Sequence, residues 1–168
     1  CARPHLLDGP VAVILPDDLI LGAPGCLREM IDAYDRDTAG HLIAVMKVPW
    51  ALTCQYGVLS VTGQKGRLVL ADGIVEKPTP DVAPSQMAVV GRYILDPVVF
   101  DALANQGPGI GGEIQLTDAI AQSGLTTGIA GFLFSGRRFD CGSKQGMLAA
   151  TLFLARQDPD YAEVLAAL

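Results

Sequence analysis

Two aspartates of this sequence each follow the last apolar residue of a short segment, where a carboxylate can hold a divalent cation. Asp17 ends Val13-Ile-Leu-Pro-Asp17, and Asp140 ends Arg138-Phe-Asp140. Because α/β sheets carry their chemistry at strand ends, we expect both carboxylates to lie at the same edge of one sheet. Mg²⁺ prefers oxygen ligands and is typically bound by one or two carboxylates together with substrate phosphates. The alternative is that Asp17 or Asp18 only caps a helix or a turn, where aspartate is common.

Glu76-Lys77-Pro78 places a carboxylate next to an ammonium group. The Glu76 carboxylate can accept hydrogen bonds from two hydroxyls, and the Lys77 ammonium can pair with a phosphate. A sugar phosphate presents both of those groups. The plainer alternative is an exposed Glu-Lys pair at a strand end, because both residue types are common on surfaces. Gly57 and Gly91 would let the backbone approach a ligand closely, although each is equally compatible with a bulge or a turn.

The elements that must position these residues begin with an α/β pattern. Residues 11–15 form a continuous apolar run, which predicts a buried central strand. Apolar residues at helical spacing from Leu27 to Tyr34 predict a helix that Gly40 ends. Residues 42–48 predict the next strand. A strand, a helix and a strand in this order favour parallel pairing through a right-handed crossover.

The middle of the chain is predicted to form hairpins. Short β-rich runs between residues 56 and 95 are separated by turn sequences, among which Asp72-Gly73 is typical of a two-residue hairpin turn. We expect the proline-rich residues 78–84 to form an exposed loop, because prolines cannot donate backbone hydrogen bonds to a central strand. Asp96-Pro97 predicts the start of a helix.

The last third is predicted to contain a flexible loop at residues 107–112, a short helix at 117–122 and a strand at 129–135. Ser143 is a candidate N-cap for an almost wholly apolar helix, and Pro159 starts a final amphipathic helix. We therefore expect residues 1–168 to form a single domain.

The composition argues against two classes of partner. The 168 residues contain 18 Asp plus Glu and 12 Lys plus Arg, and this net charge of −6 argues against binding to nucleic acid. No apolar run approaches the roughly 20 residues of a membrane span, and no signal peptide is apparent, so we expect no membrane association and a cytoplasmic location. Four cysteines without a Cys-x-x-Cys pair favour reduced thiols over a zinc site.

Seven segments combine into a much more specific pattern than any one of them. They are Leu15-Pro-Asp-Asp-Leu-Ile20, Gln55-Tyr-Gly-Val58, Val75-Glu-Lys-Pro78, Ala83-Pro-Ser85, Ala88-Val-Val-Gly-Arg-Tyr-Ile94, Gly111-Gly-Glu-Ile-Gln-Leu-Thr-Asp-Ala-Ile120 and Gly136-Arg-Arg-Phe-Asp-Cys-Gly-Ser-Lys144. In this order and spacing they resemble the bacterial UTP-glucose-1-phosphate uridylyltransferases, from the first residue to about Pro159. The resemblance implies the nucleotide-diphospho-sugar transferase fold, an α/β, Rossmann-like, mixed and mostly parallel sheet flanked by helices, here incomplete at the N-terminus.

The resemblance also implies an activity, the Mg²⁺-dependent transfer of a uridylyl group from UTP to glucose 1-phosphate. No protein nucleophile is required, because positioning and charge stabilisation carry such reactions. By motif, the resemblance assigns roles to individual residues. Asp17 and Asp140 would be Mg²⁺ positions, Glu76 would bind sugar hydroxyls, Lys77 would hold the sugar phosphate, and the glucose pocket would be lined by Gly57, Val89, Gly91 and Tyr93.

The family's glycine-rich loop, which wraps the triphosphate and reads the base, is expected before residue 1. We therefore expect this chain to supply the sugar-phosphate half of the active site and to turn over negligibly alone. The resemblance further implies a homo-oligomer. The C-terminal apolar residues are candidates for its contact, although burial in the core explains them equally well: Leu148, Leu152, Phe153 and Leu165.

Two alternative functions stay open. Thymidylyl-, adenylyl- and guanylyltransferases for sugar phosphates share the metal aspartates and the Glu-Lys-Pro motif, and the base is read outside this chain. A non-catalytic truncated module that binds a sugar phosphate or a complete subunit is the other alternative. One observation argues against the module. A purely structural remnant has no physical need to keep all four of Asp17, Glu76, Lys77 and Asp140.

Overall fold

A computed structural model describes residues 3–109 and 112–167, so Cys1, Gly111 of the glycine turn and Leu168 lie outside the described residues. The described part contains eight strands and five α-helices, with short 3₁₀ helices at Arg3–His5, Trp50–Gln55 and Pro159–Tyr161. The strands are β1 (Val11–Ile14), β2 (Asp18–Leu21), β3 (His41–Lys47), β4 (Gly57–Lys65), β5 (Leu68–Glu76), β6 (Met87–Leu95), β7 (Ile129–Leu133) and β8 (Arg137–Asp140). The helices are α1 (Cys26–Ala33), α2 (Val99–Asn105), α3 (Leu116–Thr127), α4 (Lys144–Ala155) and α5 (Ala162–Ala166).

Six of these strands form one mixed sheet in the order β1-β6-β3-β7-β5-β4. The predicted fold class, a mixed α/β sheet flanked by helices, is confirmed. The sheet is less parallel than expected within the described residues, where β3 and β7 pair in parallel and the remaining pairs are antiparallel. The reason is that β6 lies between β1 and β3. Strands β1 and β3 therefore run in the same direction but are not hydrogen-bonded to each other.

Strand β1 lies at an edge of the described sheet, where it pairs with β6. Every second side chain of β1 is exposed, and Ile14 is 52% exposed. The prediction of a buried central strand is therefore wrong for the described part of the chain. An apolar run indicates that side chains favour burial, but it does not specify how many strands pair with its backbone.

The β4–β5 hairpin turns at Gly66 and not at Asp72-Gly73. Lys65 pairs with Leu68, and Gly66 has a φ of +61°, a left-handed conformation that glycine adopts without strain. Asp72 lies inside β5 as an extra residue between the pairs Val61–Ala71 and Ser60–Gly73. The turn-like dipeptide thus forms part of a β-bulge, in which one strand carries an extra unpaired residue.

Strands β2 and β8 form a separate antiparallel pair that the sequence analysis did not predict. In this pair Asp18 lies opposite Asp140, and Leu21 lies opposite Arg137. The sequence analysis expected Asp17 and Asp140 to meet at one edge of a single large sheet. They are instead brought together by the two-stranded sheet.

The core lies on both faces of the six-stranded sheet, because side chains alternate along each strand. From β3, Ile43 and Val45 pack in the cluster that includes residues of α2 and α3. Leu42 and Ala44 point the other way, into the cluster that contains Met30 of α1. Helices therefore cover both faces.

The helix after β8 begins as predicted. The Ser143 hydroxyl accepts the Gly146 N–H at 3.0 Å and caps α4. Across residues 3–109 and 112–167, every helix is too short or too polar to cross a lipid bilayer.

Candidate active site

One cavity of about 320 Å³ gathers the predicted site residues, with Lys77 as the exception. Its lining combines the β1–β2 turn, the start of β4, the end of β5, the middle of β6 and the end of β8. The predicted residues on that lining are Asp17, Gly57, Glu76, Val89, Gly91, Tyr93 and Asp140. Residues far apart in the sequence are therefore close enough to act on one ligand.

The carboxylates of Asp17 and Asp140 both lie beside Gly142. A Cβ added at Gly142 would lie 2.9 Å from Asp17 Oδ2 and 3.2 Å from Asp140 Oδ1. The backbone holds this arrangement, since Cys141 N–H donates to the Asp17 carbonyl at 2.7 Å and Gly142 N–H donates to Asp140 Oδ1 at 3.1 Å. Two carboxylate oxygens that converge beside a cavity fit Mg²⁺, which takes its other ligands from phosphates and water.

Asp18, the neighbour of Asp17, is buried and ion-paired. It is 6% exposed, and its Oδ1 forms a short ion pair with the guanidinium of Arg138. Asp18 Oδ2 accepts the Gly91 N–H at 2.6 Å. Arg138 also donates to the Tyr56 hydroxyl at 3.2 Å and lies over the ring of that tyrosine. Asp18 is therefore a buried anchor for the walls of the cavity and not a helix cap.

Arg92 fixes the turn that carries Asp17. Its Nη1 donates to the Leu15 carbonyl at 3.0 Å and to the Gly91 carbonyl at 2.8 Å, and its Nη2 donates to the Asp18 carbonyl at 2.6 Å. These bonds join the turn to β6, so the position of Asp17 is tied to the strand that lines the pocket.

Close contacts require a glycine at position 91 and crowd position 57. A Cβ at Gly91 would lie 2.6 Å from the Leu15 Cβ and 2.8 Å from Asp18 Oδ2, which leaves no room for a side chain. At Gly57 a Cβ would lie 3.3 Å from Glu76 Oε2, which is tight but less severe. Gly91 therefore lets β6 run directly beneath the β1–β2 turn.

Glu76 and Lys77 lie at the end of β5 but differ in exposure. The Glu76 side chain is 11% exposed and accepts the Thr117 hydroxyl at 2.7 Å, whereas the Lys77 side chain is 53% exposed. Lys77 Nζ is 3.6 Å from Glu76 Oε1. The backbone of Lys77 is left-handed, with a φ of +46°, and its N–H donates to the Tyr56 carbonyl at 3.0 Å. Such a conformation is strained for a residue with a side chain and is common at functional sites.

Tyr93 brings a hydroxyl to a pocket that is otherwise rich in carboxylates. Burial, together with the nearby charges of Asp18, Glu76 and Asp17, raises the pKa of its phenol to about 12. The hydroxyl is therefore protonated at neutral pH and can donate a hydrogen bond.

The sequence analysis gave no role to several residues that line this cavity, among them Tyr56, Thr117 and Arg138. All three lie inside the segments that carried the family resemblance, which was the available signal. Their residue types alone do not distinguish them from the many other hydroxyls and cations of the chain.

The fold of this chain is that of the nucleotidyl transferases. The family model for the nucleotidyl transferases matches residues 2–157, and the chain belongs to that family. The UTP-glucose-1-phosphate uridylyltransferase of Komagataeibacter xylinus is 42% identical over 144 residues, which cover 86% of this chain and 50% of that protein. Its counterpart in Bacillus subtilis is 38% identical over 165 residues, which cover 98% of this chain and 56% of that protein.

A solved structure of UDP-glucose pyrophosphorylase complexed with UDP-glucose is similar over most of this chain. The TM-score is 0.87 at 33% identity, and the match covers 94% of this chain and 60% of the other. The chain spans about half the length of the curated relatives it matches.

Proposed function

We propose that this chain supplies the sugar-phosphate half of the active site of a UTP-glucose-1-phosphate uridylyltransferase. The observation that carries the proposal is one cavity whose lining includes the neighbouring carboxylates of Asp17 and Asp140 and the mostly buried carboxylate of Glu76. The similarity to uridylyltransferases and to a pyrophosphorylase complexed with UDP-glucose supports this choice of substrates.

In the proposed reaction, the phosphate oxygen of glucose 1-phosphate attacks the α-phosphorus of UTP. A new P–O bond forms, the bond from the α-phosphorus to the β-phosphate oxygen breaks, and pyrophosphate leaves. The chain contributes orientation and charge, and no side chain is bonded covalently to the substrate.

Glu76 is the proposed acceptor for sugar hydroxyls. Its carboxylate is mostly shielded from solvent, so a hydrogen bond from a sugar there competes with few water molecules. Gly57 and Gly91 line the cavity with their backbone, the Val89 side chain offers an apolar contact, and the protonated Tyr93 hydroxyl can donate.

Asp17 and Asp140 are the proposed ligands of Mg²⁺, and Lys77 is the proposed contact of the sugar phosphate. When bound, the metal supplies positive charge that offsets the charge of the phosphates. Lys77 lies outside the lining of the cavity but directly follows Glu76, and its long, exposed side chain is proposed to reach the phosphate of a bound sugar.

Three further parts of the proposal rest on the resemblance and the composition. They are a single domain over residues 1–168, a cytoplasmic location and a homo-oligomer. Leu148 on α4 is 59% exposed, which suits a subunit contact.

Calorimetric titration of the chain with glucose 1-phosphate in Mg²⁺ tests the proposal. We expect measurable binding by the wild type and at least a roughly tenfold loss in Glu76→Ala, because a hydrogen bond to a charged group contributes about 1.5 kcal/mol or more. Glu163→Ala is the matched control, since this glutamate is exposed on α5. A folded wild type that does not bind, or a Glu76→Ala variant that binds as well as the wild type, contradicts the proposal.

A further inference from the structure

The hydroxyl of Thr117 makes a contact to which the proposed reaction gives no role. Thr117 lies in the first turn of α3, and Glu76 lies at the end of β5. The Thr117 Oγ1 donates to Glu76 Oε2 at 2.7 Å, and both side chains line the cavity. The hydrogen bond thus connects a helix start to the carboxylate that is proposed to bind the sugar.

This hydrogen bond restricts how the Glu76 carboxylate can rotate. The last torsion of a glutamate side chain is broad, so an unrestrained carboxylate samples many orientations. An ionised carboxylate has about four acceptor positions, and the Thr117 hydroxyl occupies one of them. Lys77 Nζ, at 3.6 Å from Oε1, is beyond ordinary hydrogen-bond length, so Oε1 keeps its acceptor positions.

The backbone at Gly57 supports the same orientation of the Glu76 carboxylate. A Cβ there would lie 3.3 Å from Glu76 Oε2 and 3.5 Å from Thr117 Cγ2, so the backbone of β4 packs against both groups. The threonine methyl fills this contact while the hydroxyl bonds the carboxylate. Serine would keep the hydroxyl and lose the methyl, and valine would keep the shape and lose the hydroxyl.

We propose that Thr117 is a positioning residue for sugar recognition. It fixes the plane of the Glu76 carboxylate so that the free oxygen positions meet two neighbouring hydroxyls of the sugar ring. The inference rests on the proposed function, because Glu76 must be the group that accepts those hydroxyls. The benefit is preorganisation, since the carboxylate is ordered before the sugar binds.

Titration of Thr117→Val and Thr117→Ser with glucose 1-phosphate tests this inference. We expect Thr117→Val to weaken binding about tenfold, which corresponds to the loss of one hydrogen bond to a charged acceptor. Thr117→Ser is expected to bind within about twofold of the wild type, because it keeps the hydroxyl. Thr117→Ala replaces Thr117→Val as the test variant if the valine variant does not fold, as judged by circular dichroism.

Analogues of glucose 1-phosphate that each lack one ring hydroxyl separate positioning from a general effect on the pocket. In the wild type, removal of the hydroxyls that Glu76 accepts should weaken binding most, and in Thr117→Val this extra loss should shrink. The inference is overturned if Thr117→Val weakens the parent ligand and every analogue by the same factor relative to the wild type, if Thr117→Val binds as well as the wild type, or if Thr117→Ser binds as weakly as Thr117→Val. If the wild type itself does not bind glucose 1-phosphate, the proposed function fails as well, which is a distinct result.

Discussion

Asp18 and Arg138 form a buried ion pair that joins the two sheets of this protein at the candidate site. Asp18 belongs to β2 and Arg138 to β8, and the second oxygen of Asp18 binds the backbone N–H of Gly91 in the large sheet. Arg138 Nη2 also lies 4.0 Å from Asp140 Oδ2. The same pair therefore supports the proposed sugar pocket and the carboxylates proposed to hold the metal.

Replacement of Arg138 by methionine should strongly destabilise the fold. The side chains of Arg138 and Asp18 are 13% and 8% exposed, so the variant leaves a buried carboxylate without its cation. We expect a loss of about 3 to 5 kcal/mol in the free energy of unfolding, measured by urea denaturation. Arg156→Met, at an exposed position after α4, is the control. A loss below about 1 kcal/mol, the range of exposed ion pairs, would show that the pair is not a structural anchor.

His41 should make stability depend on pH near neutrality. It is fully buried, its Nδ1 accepts the Asp96 N–H at 3.2 Å, and its Nε2 lies 2.8 Å from the Ser123 hydroxyl. The Ser123 hydroxyl donates to the Ala119 carbonyl, which leaves Nε2 as the donor and makes the ring neutral. Burial lowers the pKa of His41 below its usual 6.5, although the Asp96 carboxylate opposes this shift.

Because the unfolded chain takes up this proton at a higher pH than the folded chain, stability is retained above pH 6.5 and falls as the pH drops below it. The denaturation midpoint of the wild type should decrease as the pH is lowered from 7.5 to about 5. His41→Asn should reduce that slope, whatever its effect on absolute stability, and the exposed His5→Asn should not. An unchanged slope in His41→Asn would mean that another group titrates.

Glu29 should contribute stability that acid removes. Both oxygens of its carboxylate accept hydrogen bonds from Arg67 and from Ser135. The Arg67 hydrogen bonds lower the pKa of Glu29 to about 2, with Ser135 contributing and burial opposing. A depressed pKa means that the stabilisation is present above pH 4.5 and is lost as the pH falls toward 2.

At pH 7, Glu29→Gln should lower the free energy of unfolding by about 1 to 2 kcal/mol, a value that allows for solvent screening of Arg67. The difference from the wild type should narrow as the pH falls below 4.5. Thermal unfolding across this pH range measures both effects, with Glu163→Gln as the exposed control. A difference that stays constant with pH would exclude the ion pair as its source.

Addition of a single methyl group at Gly91 should disturb both stability and sugar binding. The new Cβ would overlap with Leu15 and Asp18, so β6 and the β1–β2 turn must separate. We expect Gly91→Ala to cost about 1 to 3 kcal/mol of stability and to weaken binding of glucose 1-phosphate. At Gly25 no atom lies within 4 Å of an added Cβ, so Gly25→Ala is the matched control. A Gly91→Ala protein with wild-type stability would show that the turn and strand do not pack as described.

The sequence predicted which site residues lie at strand ends better than it predicted how the strands pair. Asp17 and Glu76 follow recognisable β-rich segments, so their positions after a strand could be inferred. Strand β2 could not be inferred, because Asp18–Leu21 has four residues and only Pro16 and Asp17 separate it from the preceding apolar run. The insertion of β6 between β1 and β3 is a long-range pairing that residue periodicity does not encode.

The role of a polar side chain was equally hard to infer when it depended on distant contacts. Asp18 is adjacent to Asp17, yet its hydrogen bonds are to Arg138 and Gly91, more than seventy residues away. Thr117 lies in the first turn of α3, and the sequence of that helix does not indicate a ligand site. Only the folded chain brings its hydroxyl to Glu76.

The most direct test of the sugar-phosphate half-site is a comparison of glucose 1-phosphate with glucose 6-phosphate by calorimetric titration in Mg²⁺. The two ligands have the same mass and charge and differ in where the phosphate is attached to the sugar. A site in which Glu76 orients the hydroxyls, while Lys77 and a Mg²⁺ held by the aspartate pair would offset the phosphate charge, should prefer the 1-phosphate by at least about tenfold, or 1.4 kcal/mol. Equal binding of the two isomers would identify a general anion site and contradict the account.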